Sequence, residues 1–462
     1  MQSTTLLLVF ALTFVPAVAL AARGGEPPCP PPPPAEYPPD FARGIQRTMT
    51  LLAAGTPERR HPVKVLFYGQ SITNQEWTQE VARWLRETFP HADLTIENRS
   101  IGGFASQRLC RTAKHDLYPF YPDLMIFHVL GDHRRYEDII RETRSRTTAE
   151  IAIWNDHVTQ YPVPEDCWEE KMSYDYIPGF ARKYGCFLMD VRTEWKQYLD
   201  ATGLDAAALL RDGVHLNDCG NYVLGELIKR RLRHNPDLPD DDWRDTVRTY
   251  EVGTDVQWQD GRIALEFDGN RVDLLSARRP GDTPGTARVL IDGKAPSEFP
   301  ELYVIERVSG TANIGWPAIQ RVSWQTPLVL ETWTARVTEI NDACDTFTFD
   351  VEGSVTGPDG SGISGERFVS RSGRVVIEPD DWVLAYDRQV SGKPTPPGFE
   401  CRWRVVPAFT DLYEAPVVED PAREYAVTAA QGLTNSRHAL ELVAVGDQPP
   451  VAAIRVYEPP VK

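Results

Sequence analysis

The chain has 462 residues, 42% of them hydrophobic and 25% charged, an ordinary globular balance with length enough for more than one core. Its formal net charge of −17 repels phosphate backbones and anionic lipid surfaces. Nucleic acid is thereby a poor partner, and a neutral or cationic substrate is expected.

The first stretch, MQSTTLLLVFALTFVPAVALAARGG, carries an apolar run that ends in small residues, so residues 1–22 read as a signal peptide. Cleavage is expected after Ala17-Val18-Ala19 or Ala19-Leu20-Ala21, giving a secreted or periplasmic protein. No Lys or Arg precedes the run, which leaves an uncleaved anchor as the alternative. No other segment reaches the apolar length a bilayer needs, so no membrane contact is expected beyond it. Residues 23–42 read as a proline-rich linker, stiff and extended, preceding the folded body. Seven cysteines are an odd number for an exported chain. Cys29, inside PPCPPPPP where no core can close around it, is expected to be the unpaired one. Pairing among Cys110, Cys167, Cys186, Cys219, Cys344 and Cys401 stays open.

Residues 43–236 alternate short apolar runs with amphipathic stretches. VKVLFY, ADLTIEN, PDLMIFHVL, AEIAIW and CFLMDV have strand length, and several are apolar almost throughout, as strands covered on both faces must be. Between them Trp77, Val81, Leu85 and Phe89 recur at helical spacing, and Val223, Leu224, Leu227 and Ile228 line one face of a last helix. Strands alternating with helices predict a three-layer α/β/α domain on a parallel sheet, with chemistry at the carboxyl ends of the strands.

At the end of the first strand stands Ser71, in VKVLFYGQSITNQEW, ahead of a helical pattern whose amino end favours negative charge. Far downstream, in LLRDGVHLNDCGNYVLGEL, Asp212 and His215 lie three apart, so that a carboxylate can hold an imidazole whose other nitrogen faces outward. A serine hydroxyl needs such a base, and the base needs its tautomer fixed. Ser71, His215 and Asp212 together supply every role.

These blocks resemble the SGNH, or GDSL-type, hydrolases over about residues 62–233. FYGQSIT matches the family's first block, with Gln70 where Asp is usual. NRSIGGFAS matches the second, with Gly102 or Gly103, here assigned as Gly103, supplying an oxyanion N–H beside that of Ser71. DGVHLN matches the last. The third block departs: the family's Gly-x-Asn-Asp reads Gly131, Asp132, His133 and Arg134 here. Its asparagine donates to the oxyanion, and loss of one such donor costs about 3 kcal/mol. His133 takes that position, and an imidazole can donate where an ionised Asp132 cannot. The resemblance implies a serine esterase working through an acyl-enzyme, without cofactor.

Asn155 and His157, after the fourth strand, are candidates to line the substrate pocket; the alternative is a loop whose polar side chains cap nearby backbone. His128, His133, His157 and His215 come from separate segments without paired ligand spacing, so no metal is expected. Trp168, Tyr174 and Tyr176 are either core or a sugar-stacking surface.

Residues 250–462 lose the helical period. GRIALEFDGNRVDLL reads as two strands around Asp268-Gly269-Asn270, and further short runs separated by Gly, Pro, Asp and Asn predict an all-β, sandwich-like accessory region of one or two modules. Trp258, Trp316, Trp324, Trp333, Trp382 and Trp403 are expected to be mostly core. Three functions fit: an esterase deacylating a polysaccharide, a glycan, or a small ester; a glycan-binding protein with a degenerate site; and a sugar O-acyltransferase, which a site that excludes water would favour.

Overall fold

The computed structural model describes residues 27–164, 166–238 and 246–462; residues 1–22, read above as a signal peptide, lie outside them. No helix among the described residues is long and apolar enough to cross a membrane.

Five parallel strands form the centre of the α/β part: β1 (Pro62–Gly69), β2 (Asp93–Asn98), β3 (Leu124–His128), β4 (Glu150–Trp154) and β5 (Phe187–Met189), in the order β2-β1-β3-β4-β5. Every residue of β3 and β4 is buried, because helices cover both faces. The helices are α1 (Gln46–Ala53), α2 (Glu76–Thr88), α3 (Ser106–Asp116), α4 (His133–Arg146), α5 (Trp168–Lys171), α6 (Ile177–Tyr184), α7 (Val191–Thr202) and α8 (Asp218–Lys229). A π-helical turn, Met172–Tyr176, joins α5 to α6. The apolar stripes foreseen on α2 and α8 are buried: Trp77, Val81, Leu85, Val223, Leu224, Leu227 and Ile228 are all closed to solvent. This strand order reverses direction between β1 and β3, so a crevice opens at their carboxyl ends.

The proline-rich segment is not a free spacer over its described residues. Cys29, expected unpaired, is disulfide-bonded to Cys219 in α8. Extended proline-rich backbone makes no internal hydrogen bonds, so its carbonyls are free to accept from outside. Tyr198 donates its hydroxyl to the carbonyl of Pro30 at 3.1 Å, Arg230 donates to that of Pro33 at 2.6 Å, and Tyr37 donates to Glu194 at 3.2 Å. No core forms around Cys29, but one forms beneath it.

The described residues of the β region form three antiparallel sheets, of six, five and two strands, the smallest pairing Phe368–Val369 with Val376–Ile377. The six-stranded one runs Leu412–Glu414, Thr286–Ile291, Ala426–Ala444, Arg262–Ser276, Val451–Tyr457, Val247–Glu251 in spatial order, and it belongs to the same compact unit as the α/β part. Arg423 clamps Asp93 with two nitrogens, and Tyr121 donates to Asn270 at 2.9 Å. Arg262–Ser276 is one continuous strand, not the expected two strands around Asp268-Gly269-Asn270. Gly269 takes a φ of +145°, and a Cβ there would lie 2.2 Å from the Tyr457 carbonyl oxygen, so glycine serves a close approach of strands and not a turn.

Residues Tyr303–Pro407 form a second unit. Its five-stranded sheet runs Gly357–Ile363, Phe347–Gly353, Thr332–Ile340, Glu400–Pro407, Tyr303–Ile305. Trp316, Trp333 and Trp403 are buried in it, as expected of core aromatics, whereas Trp324 is exposed.

Candidate active site

β1 ends at Gly69 because no side chain fits there: a Cβ would meet the His128 carbonyl oxygen at 2.3 Å and Thr73 Oγ1 at 2.4 Å. The chain then makes a tight turn in which Asn74 N–H donates to the carbonyls of Gln70 and Ser71 at 3.1 Å each. Ser71 rides on this turn. It is not at the amino end of the first helix, since α2 begins only at Glu76 with Gln75 as its cap residue.

His215 comes to Ser71 from the other end of the domain. Its Nε2 lies 2.9 Å from Ser71 Oγ, and its Nδ1 lies 2.9 Å from Asp212 Oδ2. A carboxylate only accepts, so Nδ1 carries the proton and Nε2 is left to accept from the serine hydroxyl. Asp212 Oδ1 accepts in addition from the backbone N–H of Val214 at 2.9 Å and of His215 at 2.8 Å. Burial alone would raise the Asp212 pKa, but these two N–H groups and the imidazole outweigh it and hold the carboxyl below its ordinary range.

The loop after β2 extends the parallel pairing with β1: Arg99 N–H donates to Phe67 and Ile101 N–H to Gly69, each at 3.0 Å. That register carries Gly102 beside the serine, where a Cβ would sit 3.6 Å from Ser71 Cβ. Gly103 follows with a φ of +81°, a conformation that favours glycine. After β3, Gly131 also has positive φ, +123°, and a Cβ there would press on Ser106 and Gln107. Asp132 is used as the amino-terminal cap of α4, accepting from Arg134 and Arg135 at 3.0 Å. His133 opens the helix with its ring stacked on Tyr176, centroids 4.2 Å apart, and edge-on to Trp168 at 5.7 Å.

Asn155 and His157 do not line a pocket open to substrate. They are 0% and 1% exposed. Asn155 donates to Asp190 and accepts from the Arg192 N–H, both at 2.8 Å, while His157 Nε2 donates to the carbonyl of Val214 at 2.8 Å. Both side chains thus brace backbone, Asn155 at the start of α7 and His157 beside His215. Asp156 sits 3.0 Å from His157 Nδ1 and 3.8 Å from His128 Nε2. Burial works to raise its pKa, but His157, His128 and Arg192 outweigh that and hold it at about 2. Burial pushes His128 down to about 4, so that ring is neutral.

No protein-family model matches the chain, and no curated protein matches it. Solved structures do. One is a two-domain esterase active on acetylated mannans, co-crystallised with mannopentaose: it is 14% identical, the match covers 90% of this chain and 95% of that one, and the TM-score is 0.35. Another is Axe2, an acetylxylan esterase from Geobacillus stearothermophilus, 18% identical over 37% of this chain and 94% of its own, with a TM-score of 0.33. A third is LAE5, an alpha/beta hydrolase enzyme from the metagenome of Lake Arreo, Spain, 18% identical over 38% of this chain and 98% of its own, with a TM-score of 0.34.

Two supporting residues escape a reading by motif. Gln75 is buried, and its side-chain amide spans the Leu216 backbone, donating to the carbonyl at 3.0 Å and accepting from the N–H at 3.2 Å. Arg192 donates to the carbonyl of His157 at 2.8 Å and pairs with Glu170. The only sequence signal for Gln75 is its position four residues after the serine. Arg192 carries none. Among the described residues no group of three His, Cys, Asp or Glu side chains is arranged to hold a metal ion.

Proposed function

We propose that this chain is a serine esterase of the SGNH type that removes acyl groups, acetyl foremost, from a carbohydrate. The observation that carries the reading is the unbroken Ser71–His215–Asp212 relay at 2.9 Å per step. In the reaction His215 Nε2 takes the Ser71 proton as Oγ attacks the ester carbonyl. The tetrahedral oxyanion forms against the N–H groups of Ser71 and Gly103, with the His133 imidazole in the place of the family's asparagine. His215 returns the proton to the leaving sugar hydroxyl, and water repeats the sequence to free the acid. No metal or cofactor enters these steps.

Support for a sugar comes from the aromatics that follow β4. Trp168, beside the stacked His133–Tyr176 pair, exposes 42% of its surface, and Tyr174, against Thr193 and Lys196, exposes 39%. Partly exposed aromatic faces of this kind suit the apolar faces of pyranose rings. Export is supported by the Cys29–Cys219 bond, since disulfides persist in oxidising compartments.

The test is release of 4-nitrophenol from its acetate ester and of acetate from acetylated mannan and xylan, the polymers on which the similar solved structures act. Wild type is expected to turn over and Ser71→Ala to lose on the order of 10⁶ in kcat. Equal inertness of both proteins on all three substrates overturns the proposal.

A further inference from the structure

A cavity of about 840 Å³ lies at the other end of the parallel strands from Ser71, between the amino-terminal ends of β1 and β3 and the six-stranded sheet. Lys64 is the third residue of β1, and Ser71 lies beyond the other end of that strand. At about 3.3 Å per residue the two are separated by roughly 20 Å. The volume is within the range that small-molecule sites occupy, about 300 to 1,000 Å³.

Its lining is cationic in a chain that is strongly anionic overall. Three carboxylates face it, and each already has an arginine: Asp123 pairs with Arg47 at 3.0 Å, Asp273 takes two bonds from Arg271, and Glu424 pairs with Arg455 at 2.8 Å. Lys64 and Arg59 also line the cavity, and neither makes an ion pair among the described residues. Arg59 is exposed at the rim. The Lys64 ammonium donates only to the Phe120 carbonyl, at 3.3 Å, and lies over the Phe120 ring. Burial, and then the nearby Arg271, lower its pKa against the opposing pull of Asp123, Asp273 and Glu97. A largely buried ammonium outside any ion pair is costly to keep, and an added anion relieves it.

The Arg271 guanidinium is preorganised beside it. It is held between the rings of Tyr121 and Tyr457, 4.8 and 4.6 Å from their centroids, and its Nε and one Nη are fixed on Asp273. Tyr457 donates its hydroxyl to the same carboxylate at 2.9 Å. The guanidinium nitrogen left over, Nη1, and the Lys64 ammonium are thus two donors lining one cavity, a set suited to carboxylate or phosphate oxygens.

We propose that this cavity is a binding site, separate from the serine site, for a small molecule that presents a carboxylate or phosphate group to Lys64 and Arg271. Its hydroxyl-bearing walls, Thr249 and Thr428, leave room for the polar remainder of such a molecule.

Calorimetry and thermal shift on the disulfide-intact full chain at low salt decide it, with inorganic phosphate and glucuronate as anionic probes and glucose as the neutral one. The expected result is saturable binding and a raised Tm with phosphate or glucuronate, and neither with glucose. Phosphate alone or glucuronate alone identifies which anion the site takes. Lys64→Met is expected to weaken binding at least tenfold, to hold or raise the Tm without ligand, and to leave the rate on 4-nitrophenyl acetate unchanged. Arg59→Ala, at the exposed rim, gives a milder loss in a variant whose folding is not at stake. If neither anion binds wild type, or if binding survives undiminished in Lys64→Met, the site does not exist as described.

Discussion

His157 donates from Nε2 to the carbonyl oxygen of Val214, 2.8 Å away, across 57 residues of sequence. Val214 is the neighbour of His215, so this bond holds the backbone from which the His215 imidazole projects. The Arg192 guanidinium fixes His157 in turn, through its carbonyl. Replacing His157 by Ala removes the donor to the Val214 carbonyl and frees the loop. A misplacement of about 1 Å at a catalytic group costs on the order of 10²-fold. The expected outcome is a kcat reduced about that much with KM little changed, partly restored in His157→Gln, which retains a donor. Unchanged kcat in both variants would mean that the other loop contacts suffice.

Gln75 makes a parallel prediction from the opposite side. Its amide satisfies both backbone groups of Leu216, and nothing apolar can do so. Gln75→Leu keeps the volume and orphans a buried donor and acceptor, at about 1 to 3 kcal/mol each. Both the unfolding midpoint and kcat are expected to fall, whereas Gln75→Glu, able to accept from the N–H, should lose less stability above neutral pH. Urea unfolding alongside turnover separates the two effects.

How far the sequence discloses this arrangement depends on the kind of signal involved. The five strands are legible because burial on both faces demands nearly unbroken apolar runs, and Ser71, Asp212 and His215 are legible because their chemistry requires those types in that local order. Asn155 and His157 stay ambiguous in the sequence because a position after a strand does not say whether the side chain rises into the crevice or caps nearby backbone. Cys29 is misread because a proline run cannot build a core of its own, yet it can lie against one. Gly269 is misread for the same reason: the close approach of the strand carrying Tyr457 belongs to the assembled sheet and leaves no local mark. Gln75 supports a loop some 140 residues away and is invisible to any local pattern.

His128 predicts an acid limit. Burial lowers its pKa to about 4, and neither ring nitrogen has a hydrogen-bond partner. Between about 6.5, the usual value for an unfolded chain, and about 4, the unfolded state binds a proton that the native state does not. The stabilising contribution is therefore whole above about pH 6.5 and is lost as the pH falls toward 4, a difference on the order of 3 kcal/mol. Asp156, with its pKa depressed to about 2, adds a further loss only below about pH 4. His128→Phe keeps an aromatic ring against Trp154, whose centroid is 4.5 Å away. Its Tm is expected to match wild type near pH 8 and to exceed it at pH 5. Parallel Tm-against-pH curves for the two proteins would place the acid limit elsewhere.

The Cys29–Cys219 bond joins positions 190 residues apart and anchors the proline-rich segment to the first turn of α8, which the His215 loop enters directly. Closing a loop of that length removes unfolded-state entropy worth about 5 kcal/mol in the chain-entropy account, and native disulfides usually return about 2 to 5. Cys29→Ser and Cys219→Ser should lower the urea midpoint equally, because each removes the same crosslink, and a reducing agent should bring wild type to the same value. The catalytic contacts themselves do not include the disulfide, so kcat below the transition should stay within about twofold of wild type. If Cys219→Ser alone lowered kcat, the sulfur would be acting on the α8 turn and not through the crosslink. If neither variant moved the midpoint, the hydrogen bonds of Tyr198 and Arg230 to the proline carbonyls would be holding the segment by themselves.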